Sequence, residues 1–179
     1  MRYVGEDDTG ENITREEADS LHAAGHKIAI VYQVGKAWML DGGYDRGRLA
    51  GRVAMEQAIA AGMPHTRPIY FSLDVNPAVF TAGQWAVVEH CLAGIQYVIP
   101  YNQIGVYGAR SALDRLIPHH ATWGWQTYAW SGYIKELGDS RLQDIWSDWA
   151  SVRQYLNGQS LCGGTVDFDE SMTADFGQW

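Results

Sequence analysis

The stretch that decides the fold is Pro68-Ile69-Tyr70-Phe71-Ser72-Leu73-Asp74, an apolar run that ends in a carboxylate. A run this short and this apolar is typical of a strand buried on both faces of a parallel sheet. On either side of it, similar short runs alternate with longer amphipathic segments, which is the pattern of βα units. The sequence therefore predicts an α/β fold with parallel strands, organised as one domain over residues 1–179.

The remaining elements follow from the same alternation and from helix-capping signals. Six further strands are predicted, at residues 2–5, 27–33, 104–107, 123–129, 152–155 and 165–168. Four helices are predicted: from a Thr14–Glu17 capping box to Gly25, over 45–61, from a Thr81–Gln84 capping box to a point before Pro100, and over 111–116. The sequence thus predicts about seven strands, all parallel, with irregular chain between Gly132 and Ala150.

Composition and charge exclude several classes of function. The chain has 179 residues, is 46% hydrophobic and 19% charged, and carries a formal net charge of -8, which is typical of an acidic globular protein. An acidic chain without a Lys/Arg run repels phosphate backbones, so nucleic acid is excluded as a partner. No apolar run approaches the ~18 residues that span a bilayer, and the first residues lack the pattern of a signal peptide. We therefore expect a soluble protein without membrane contact.

Neither a cofactor nor a metal ion is expected. The chain has no G-x-G-x-x-G or G-x-x-x-x-G-K-[ST] loop for a nucleotide and no H-E-x-x-H pair for a metal. The adjacent His119 and His120 diverge too much to share an ion. Cys91 and Cys162 form no C-x-x-C motif, and we expect two free buried thiols, with a disulfide as the alternative in an oxidising compartment.

Polar and aromatic side chains follow one predicted strand after another. Asp74 and Asp167 each end an apolar strand, and Tyr107 and Gln154 close two others. Because the carboxyl ends of parallel strands share one face, we expect these four side chains to converge there. For either aspartate alone, capping of the following turn is the alternative interpretation. Two costly carboxylates at strand ends favour a functional site.

Two carboxyl groups on one face suit the cleavage of a glycosidic bond. One carboxyl group donates a proton to the leaving oxygen, the other attacks the sugar or activates water, and mutual repulsion separates their pKa values. Aromatic faces that stack on sugars are abundant, with eight Trp and ten Tyr. Strand alternation places Trp123 and Trp125 on the same side. About half of the aromatic residues in this region are expected to be ordinary core.

Four ordered motifs carry a resemblance to a known family. They are Ile69-Tyr70-Phe71-Ser72-Leu73-Asp74, Gly105-Val106-Tyr107-Gly108, Trp125-Gln126-Thr127-Tyr128-Ala129-Trp130-Ser131-Gly132 and Val166-Asp167-Phe168-Asp169-Glu170, and the closing Phe176-Gly177-Gln178-Trp179 also fits. In this order the motifs resemble the DUF1906 family, a glycoside-hydrolase-like group with mycobacterial members that is related to the family 25 lysozymes. The resemblance covers almost the whole chain.

The resemblance implies a (β/α) TIM-type barrel that acts on bacterial cell-wall peptidoglycan or a related envelope glycan. It implies that Asp74 is the nucleophile or an orienting carboxylate, and that Asp167 orients or polarises the sugar. The expected substrate-binding residues are Tyr107 and Gln154 as hydrogen-bonding groups, Trp125 as a stacking face, and Asn76, Gln126 and Trp130. The implied setting is the cell envelope or a phage lysin.

Two departures from the family pattern change this expectation. Relatives begin with a strand that ends in an acidic residue, and this chain shows no such strand before Arg2, which predicts an incomplete barrel of about seven strands. We expect either a gapped barrel or a sheet edge that is covered by a helix, a loop or a second subunit. Where family 25 lysozymes carry Asp-x-Glu, this chain has Asp74-Val75-Asn76. The candidate replacements for the missing acid are Glu6, Asp7, Asp169 and Glu170, and the alternatives to an enzyme are a non-catalytic glycan-binding module and a structural or interaction domain.

Overall fold

The computed structural model describes residues 1–6, 11–132, 145–161 and 163–179. Its strands are β1 (Arg2–Val4), β2 (Ile30–Tyr32), β3 (Ile69–Leu73), β4 (Ile104–Gly108), β5 (Trp123–Thr127), β6 (Ala150–Leu161) and β7 (Gly164–Ser171). Its α-helices are α1 (Arg15–Ala23), α2 (Gly43–Ala60), α3 (Ala82–Val98) and α4 (Arg110–Leu116), and short 3-10 helices lie at Trp38–Leu40, Pro77–Val79 and Tyr101–Gln103. Asp7, Cys162 and most of the segment predicted to be irregular lie outside the described residues.

The seven strands form one curled sheet in chain order, with β1 at one edge and β7 at the other. All five neighbouring pairs from β1–β2 to β5–β6 are parallel. The curled sheet makes half a barrel, which confirms the predicted α/β fold and the incomplete TIM-type barrel. These six successive parallel strands, β1 to β6, place their carboxyl ends along one rim of the half-barrel.

The last strand departs from the predicted arrangement. β7 is antiparallel to β6, with Arg153 opposite Glu170 and Gln154 opposite Asp169. A parallel connection needs a crossover of about a dozen residues, whereas only residues 162 and 163 separate the end of β6 from the start of β7. The chain must therefore turn back as a hairpin, and the prediction of a parallel last strand is wrong. β6 also extends well beyond the predicted 152–155.

Side-chain alternation gives the sheet two different faces. On the convex face, strand residues such as Ile69, Phe71 and Val106 pack against the helices in the larger core. On the concave face lies a second cluster of buried side chains, formed by Val31, Tyr70, Tyr107, Trp125 and Val152. Trp123 packs against this second cluster, so Trp123 and Trp125 share a side of β5 as predicted. The concave face is therefore largely aromatic.

Side-chain caps determine where two helices begin. Before α3, Thr81 Oγ1 accepts from the Gln84 backbone N–H at 3.2 Å, and Gln84 Oε1 accepts from the Thr81 N–H at 2.9 Å, which is the predicted capping box. Before α1, Thr14 accepts from the Glu17 N–H at 3.1 Å. The Glu17 carboxylate instead pairs with Arg2 at 2.6 Å. This ion pair connects the first turn of α1 to β1.

The segment after β7 covers the amino-terminal end of the half-barrel. Ile28 and Trp179 exchange two backbone hydrogen bonds of 3.0 Å, and the Tyr70 hydroxyl donates to the Phe176 carbonyl at 2.8 Å. Gly177 has a φ of +90°, and a Cβ atom there would come within 2.2 Å of Pro68 Cγ, so glycine is required. The strand ends on the other rim stay accessible.

Candidate functional site

A cleft of about 290 Å³ lies on the concave face at the carboxyl ends of the strands. Asp74, Tyr107, Gln154 and Asp167, which the sequence predicts to converge, all line it. Asp74 directly follows β3, and the other three belong to β4, β6 and β7. The hairpin places β7 beside β6 in the same sheet, so Asp167, near the start of β7, lies at the cleft although its strand runs in the opposite direction. The structure thus brings the four residues together, while their chemical roles remain predictions.

A chain of hydrogen bonds connects three of these side chains. The buried Tyr107 hydroxyl donates to Gln154 Oε1 at 2.8 Å, and Gln154 Nε2 donates to Asp167 Oδ2 at 3.1 Å. The backbone N–H of Gly158 donates to the second oxygen, Asp167 Oδ1, at 2.8 Å. Both oxygens of Asp167 therefore act as acceptors, and the carboxylate is fixed in position.

Asp74 and Asp167 are close enough to influence each other. Burial raises the pKa of Asp74, Lys36 lowers it, and the Asp167 carboxylate raises it further. Burial raises the pKa of the Tyr3 hydroxyl, on β1, and the negative charges of Asp167, Glu11 and Asp74 raise it further. Tyr3 therefore lies close enough to Asp74 and Asp167 for both to affect its pKa. A carboxyl group with a raised pKa beside a second carboxyl group suits glycoside cleavage.

A third carboxyl group, Asp169, lies beside the cleft. It lines an adjoining cavity of about 530 Å³ that shares Tyr3, Trp125, Gln154 and Asp167 with the cleft. The residue as a whole is exposed at the sheet edge, but its carboxyl group lies against Trp125, whose Nε1–H donates to Asp169 Oδ1 at 2.7 Å. Withdrawal of this carboxyl group from solvent raises its pKa to about 6, although the Trp125 hydrogen bond opposes the shift.

The two tryptophans that line the cleft differ in accessibility. Trp125 is only 5% exposed and packs against Tyr107, with ring centroids 4.5 Å apart, and against Tyr70 at 6.1 Å. Trp130 is 42% exposed and has a φ of 55°, a left-handed backbone conformation that is rare for an aromatic residue. Strained backbone tends to occur at functional sites. Trp130 therefore offers the accessible aromatic face of the cleft, whereas Trp125 is a buried part of the cleft lining that packs against Tyr107.

Four predicted site residues lie away from the cleft. Glu6 pairs with Arg46 at 2.7 Å, and Glu170 lies opposite Arg153 on the other face of β7 from Asp169. Asn76 accepts from the Ala78 N–H at 3.1 Å and so caps the 3-10 helix at Pro77–Val79. Gln126 is fully buried, donating to the Ile145 carbonyl and accepting from the Ser147 N–H, both at 2.7 Å. Glu6, Asn76 and Gln126 thus have structural contacts, and Glu170 lies on the face of β7 that points away from the cleft.

The cleft also contains residues that the sequence argument did not single out. They are Tyr3, Gln33, Lys36, Thr127 and Asn157. Gln33 closes the predicted second strand and Tyr3 belongs to the first, so the strand-end rule and alternation could have indicated both. Lys36 follows in the next loop, and Asn157 lies in the part of β6 that the pattern did not predict. For these two, no local signal distinguishes them from surface residues.

The described residues hold no other obvious chemical centre. Among them, no group of three His, Cys, Asp or Glu side chains is placed to hold a metal ion. Cys91 is a free thiol in the core, and its burial raises the pKa to about 12, so it is a poor nucleophile. None of the helices described above is long and apolar enough to cross a bilayer.

Comparisons with known proteins agree with the predicted resemblance. The sequence model of the Rv2525c-like, glycoside hydrolase-like domain family matches residues 1–173. A Mycobacterium tuberculosis protein named "Putative peptidoglycan hydrolase Rv2525c" is 27% identical over 183 residues, which span 95% of this chain and 68% of that protein.

Solved structures share the fold. A crystal structure of the Tat-secreted Rv2525c from M. tuberculosis, in complex with L-tartrate, aligns with a TM-score of 0.81 at 27% identity, covering 99% of this chain and 86% of that one. The modular autolysin LytC from Streptococcus pneumoniae aligns with a TM-score of 0.54 at 14% identity, covering 93% of this chain and 39% of that one. At this identity the second likeness concerns the fold alone.

Proposed function

Because the chain belongs to the Rv2525c-like, glycoside hydrolase-like domain family, we propose that it hydrolyses a glycosidic bond of bacterial cell-wall peptidoglycan. The observation that carries the proposal is the cleft in which Asp74 and Asp167 face the same space beside Tyr107 and Gln154. The M. tuberculosis relative is named as a peptidoglycan hydrolase and is Tat-secreted. We therefore place the substrate in the cell envelope.

The three carboxyl groups suit different steps of the reaction. Asp167 is fixed by two donors and would serve as the carboxylate that orients the sugar or stabilises positive charge. Asp74 would attack the anomeric carbon or stabilise the oxocarbenium-like transition state, and the nearby Lys36 favours its ionised form. Asp169, with a pKa of about 6, would donate the proton to the leaving oxygen. This assignment replaces the acid that is absent at Asn76.

The uncharged groups of the cleft would hold the sugar. Trp130 offers its exposed face for stacking. Tyr107 donates its hydroxyl proton to Gln154 and is also hydrogen-bonded to Thr127, so a sugar hydroxyl would bind Tyr107 by donating to the remaining lone pair of its oxygen. Since Trp125 also uses its N–H for Asp169, we assign Trp125 to positioning of that carboxyl group.

The test is turnover of purified peptidoglycan by the wild type, Asp74→Asn and Asp167→Asn. Release of new reducing ends, rather than new amino groups, identifies cleavage of a glycosidic bond. Asp74→Asn should lower turnover by about a hundredfold or more, because the amide keeps the shape but neither attacks nor carries charge. Asp167→Asn should also be severe. Asp19→Asn, on the exposed face of α1, removes one carboxylate far from the cleft and is the matched control.

Circular dichroism of each variant separates loss of chemistry from loss of fold. Turnover that survives Asp74→Asn in a folded protein would refute the assignment of Asp74. Turnover that survives Asp74→Asn and Asp167→Asn alike would refute the proposed site as a whole.

A non-catalytic glycan-binding module is the second candidate function. It is favoured by Asn76, whose side chain caps a 3-10 helix instead of offering a carboxyl group near Asp74. In this case the wild type binds insoluble peptidoglycan in a pull-down assay but releases no reducing ends at any pH. Trp130→Ala should then abolish binding, whereas Asp74→Asn should leave most of it.

A further inference from the structure

The charged groups that line the cleft are of two signs. Asp74 and Asp167 supply two carboxylates, and Lys36 is the one cation among the described lining residues. The chain as a whole carries a net charge of -8, so a cation in a cleft with two carboxylates is unexpected from composition. A lysine at this place calls for a specific explanation.

The Lys36 ammonium group makes no structural contact with the described residues. Two arginines near the sheet are paired by contrast: Arg46 contacts Glu6 at 2.7 Å, and Arg67 contacts Asp175 at 3.1 Å. Within the parts of the chain that the structure describes, Lys36 forms no ion pair or hydrogen bond. Its charge attracts the Asp74 carboxylate only over a distance longer than an ion pair. The residue is exposed, so its ammonium group is available to a ligand.

The other groups of the cleft define what such a ligand looks like. Trp130 offers a flat apolar face, and Gln33 and Asn157 offer neutral hydrogen-bonding groups. The two carboxylates repel a negative group from their part of the cleft, whereas Lys36 attracts it. A ligand that satisfies all of these is a pyranose with one carboxylate, bound so that the carboxylate faces Lys36.

We propose that Lys36 recognises a carboxylate on the sugar substrate, which makes this cleft selective for acidic over neutral glycans. The inference rests on the proposed function and names the substrate class of the same site. In a glycan strand of peptidoglycan from which the stem peptides have been removed, the carboxylate would be that of the lactyl group of N-acetylmuramic acid, which is otherwise amide-linked to the peptide. A uronic acid carries the same chemistry, and the experiment below distinguishes the two sources.

The test is isothermal titration of the full chain with two matched disaccharides. N-acetylglucosaminyl-N-acetylmuramic acid carries a lactyl carboxylate, and N,N′-diacetylchitobiose lacks it. The acidic disaccharide should bind about tenfold more tightly to the wild type, a ratio that corresponds to about 1.4 kcal/mol. Lys36→Gln should abolish this preference without changing affinity for the neutral disaccharide. Lys36→Arg should retain the preference, and a salt concentration of about 1 M should weaken it.

Lys27→Gln is the matched control. Lys27 precedes β2 and Lys36 follows it, so the control removes the same charge from the opposite end of one strand. It should leave the preference unchanged. A glucuronic acid disaccharide that binds more tightly than the muramic acid compound, with the same dependence on Lys36, would support the inference and assign the carboxylate to a uronic acid.

The other outcomes separate this inference from the proposed function. A preference for acidic sugar that survives Lys36→Gln overturns the inference and leaves the peptidoglycan proposal intact. An altered pH profile of turnover in Lys36→Gln, with no change in preference, also overturns it and limits Lys36 to an effect on Asp74. If neither disaccharide binds and peptidoglycan is not turned over, the inference and the proposed function fall together.

Discussion

At the scale of single residues, the structure separates side chains that the sequence treats alike. Asp169 and Glu170 are neighbours in one acidic motif, yet only Asp169 faces the cavities of the concave side. In the same way, Trp125 and Trp130 belong to one aromatic motif, but only Trp130 is accessible to a sugar. Each difference follows from which face of the sheet a side chain occupies and how much protein surrounds it.

The raised pKa of Asp169 predicts a pH-dependent effect on stability. Its pKa rises from 3.8 to about 6 on folding, so between these values the folded chain binds more protons than the unfolded chain. The free energy of unfolding therefore falls as pH rises through this window. A shift of this size corresponds to at most about 3 kcal/mol, and exposure at the sheet edge reduces the expected value to about 1 kcal/mol. Asp169→Asn should remove this decrease in the free energy of unfolding. The variant should then be more stable than the wild type at pH 7 and equally stable below a pH of about 3.8.

Urea denaturation at pH 3, below the window, and at pH 7, above it, measures this difference. Glu170→Gln removes the same charge from the other face of β7 and serves as the control. Equal pH dependence of the wild type and Asp169→Asn would contradict the environment described for Asp169. In turnover, an Asp169 proton donor should cause the rate to decline as pH rises above about 6.

At the scale of elements, glycines set the distance between α2 and α3. A Cβ atom on Gly47 would lie 1.8 Å from the Cys91 carbonyl oxygen, and one on Gly94 would lie 2.0 Å from the Tyr44 carbonyl oxygen. Each helix thus presents a glycine to the backbone of the other. This contact holds two of the helices that cover the convex face close together.

Gly47→Ala should therefore destabilise the protein, against the usual preference of helices for alanine. Alanine is favoured over glycine inside a helix by about 1 kcal/mol, but here the added methyl group must push two backbones apart. We expect a net loss of about 2 kcal/mol or more in the free energy of unfolding. Gly83→Ala is the matched control, since its Cβ atom would meet only Thr81 Oγ1 at 3.8 Å. Chemical denaturation in which both variants behave alike would contradict close packing of α2 against α3.

At the scale of the whole molecule, the half-barrel has two different ends. The carboxyl ends of the strands form the cleft, and residues 176–179 cover the opposite end through Ile28 and Tyr70. The two edge strands, β1 and β7, have a partner in this sheet on one side only. The barrel is therefore not closed by pairing of β1 with β7, and the contacts of residues 176–179 help to hold the amino-terminal ends of the strands in place.

Removal of residues 176–179 should loosen the amino-terminal end of the half-barrel. It deletes two backbone hydrogen bonds to Ile28, the acceptor of the Tyr70 hydroxyl, and the packing of Phe176 and Trp179. We expect the free energy of unfolding to fall by about 3 kcal/mol or more. Tyr70→Phe, which removes only the hydroxyl group, should cost about 1 kcal/mol. Unchanged hydrogen exchange at Ile28 in the shortened chain would contradict this account.

The sequence by itself determined the fold class and the position of the main site. Apolar runs such as residues 69–73 are short and uniform, as buried strands are, and the spacing of the first five strands leaves room for a helix between each successive pair. Once the strands are parallel, Asp74 and Tyr107 must meet at one rim, whatever the details of packing. The capping boxes and the family motifs are likewise local, and local signals can be recognised without a structure.

Only the tertiary structure decided the direction of β7 and the hydrogen-bond partners of Asn76 and Gln126. It also decided that Tyr3 and Lys36 line the cleft. The physical reason is that an alternating pattern fixes which side chains share a face, but not which face is buried or what lies opposite. Gln126 and Asp169 find partners 19 and 44 residues away in the chain, at distances that sequence spacing does not encode. Register and through-space packing settle those contacts, and they determine which acids and aromatic rings are left for a ligand.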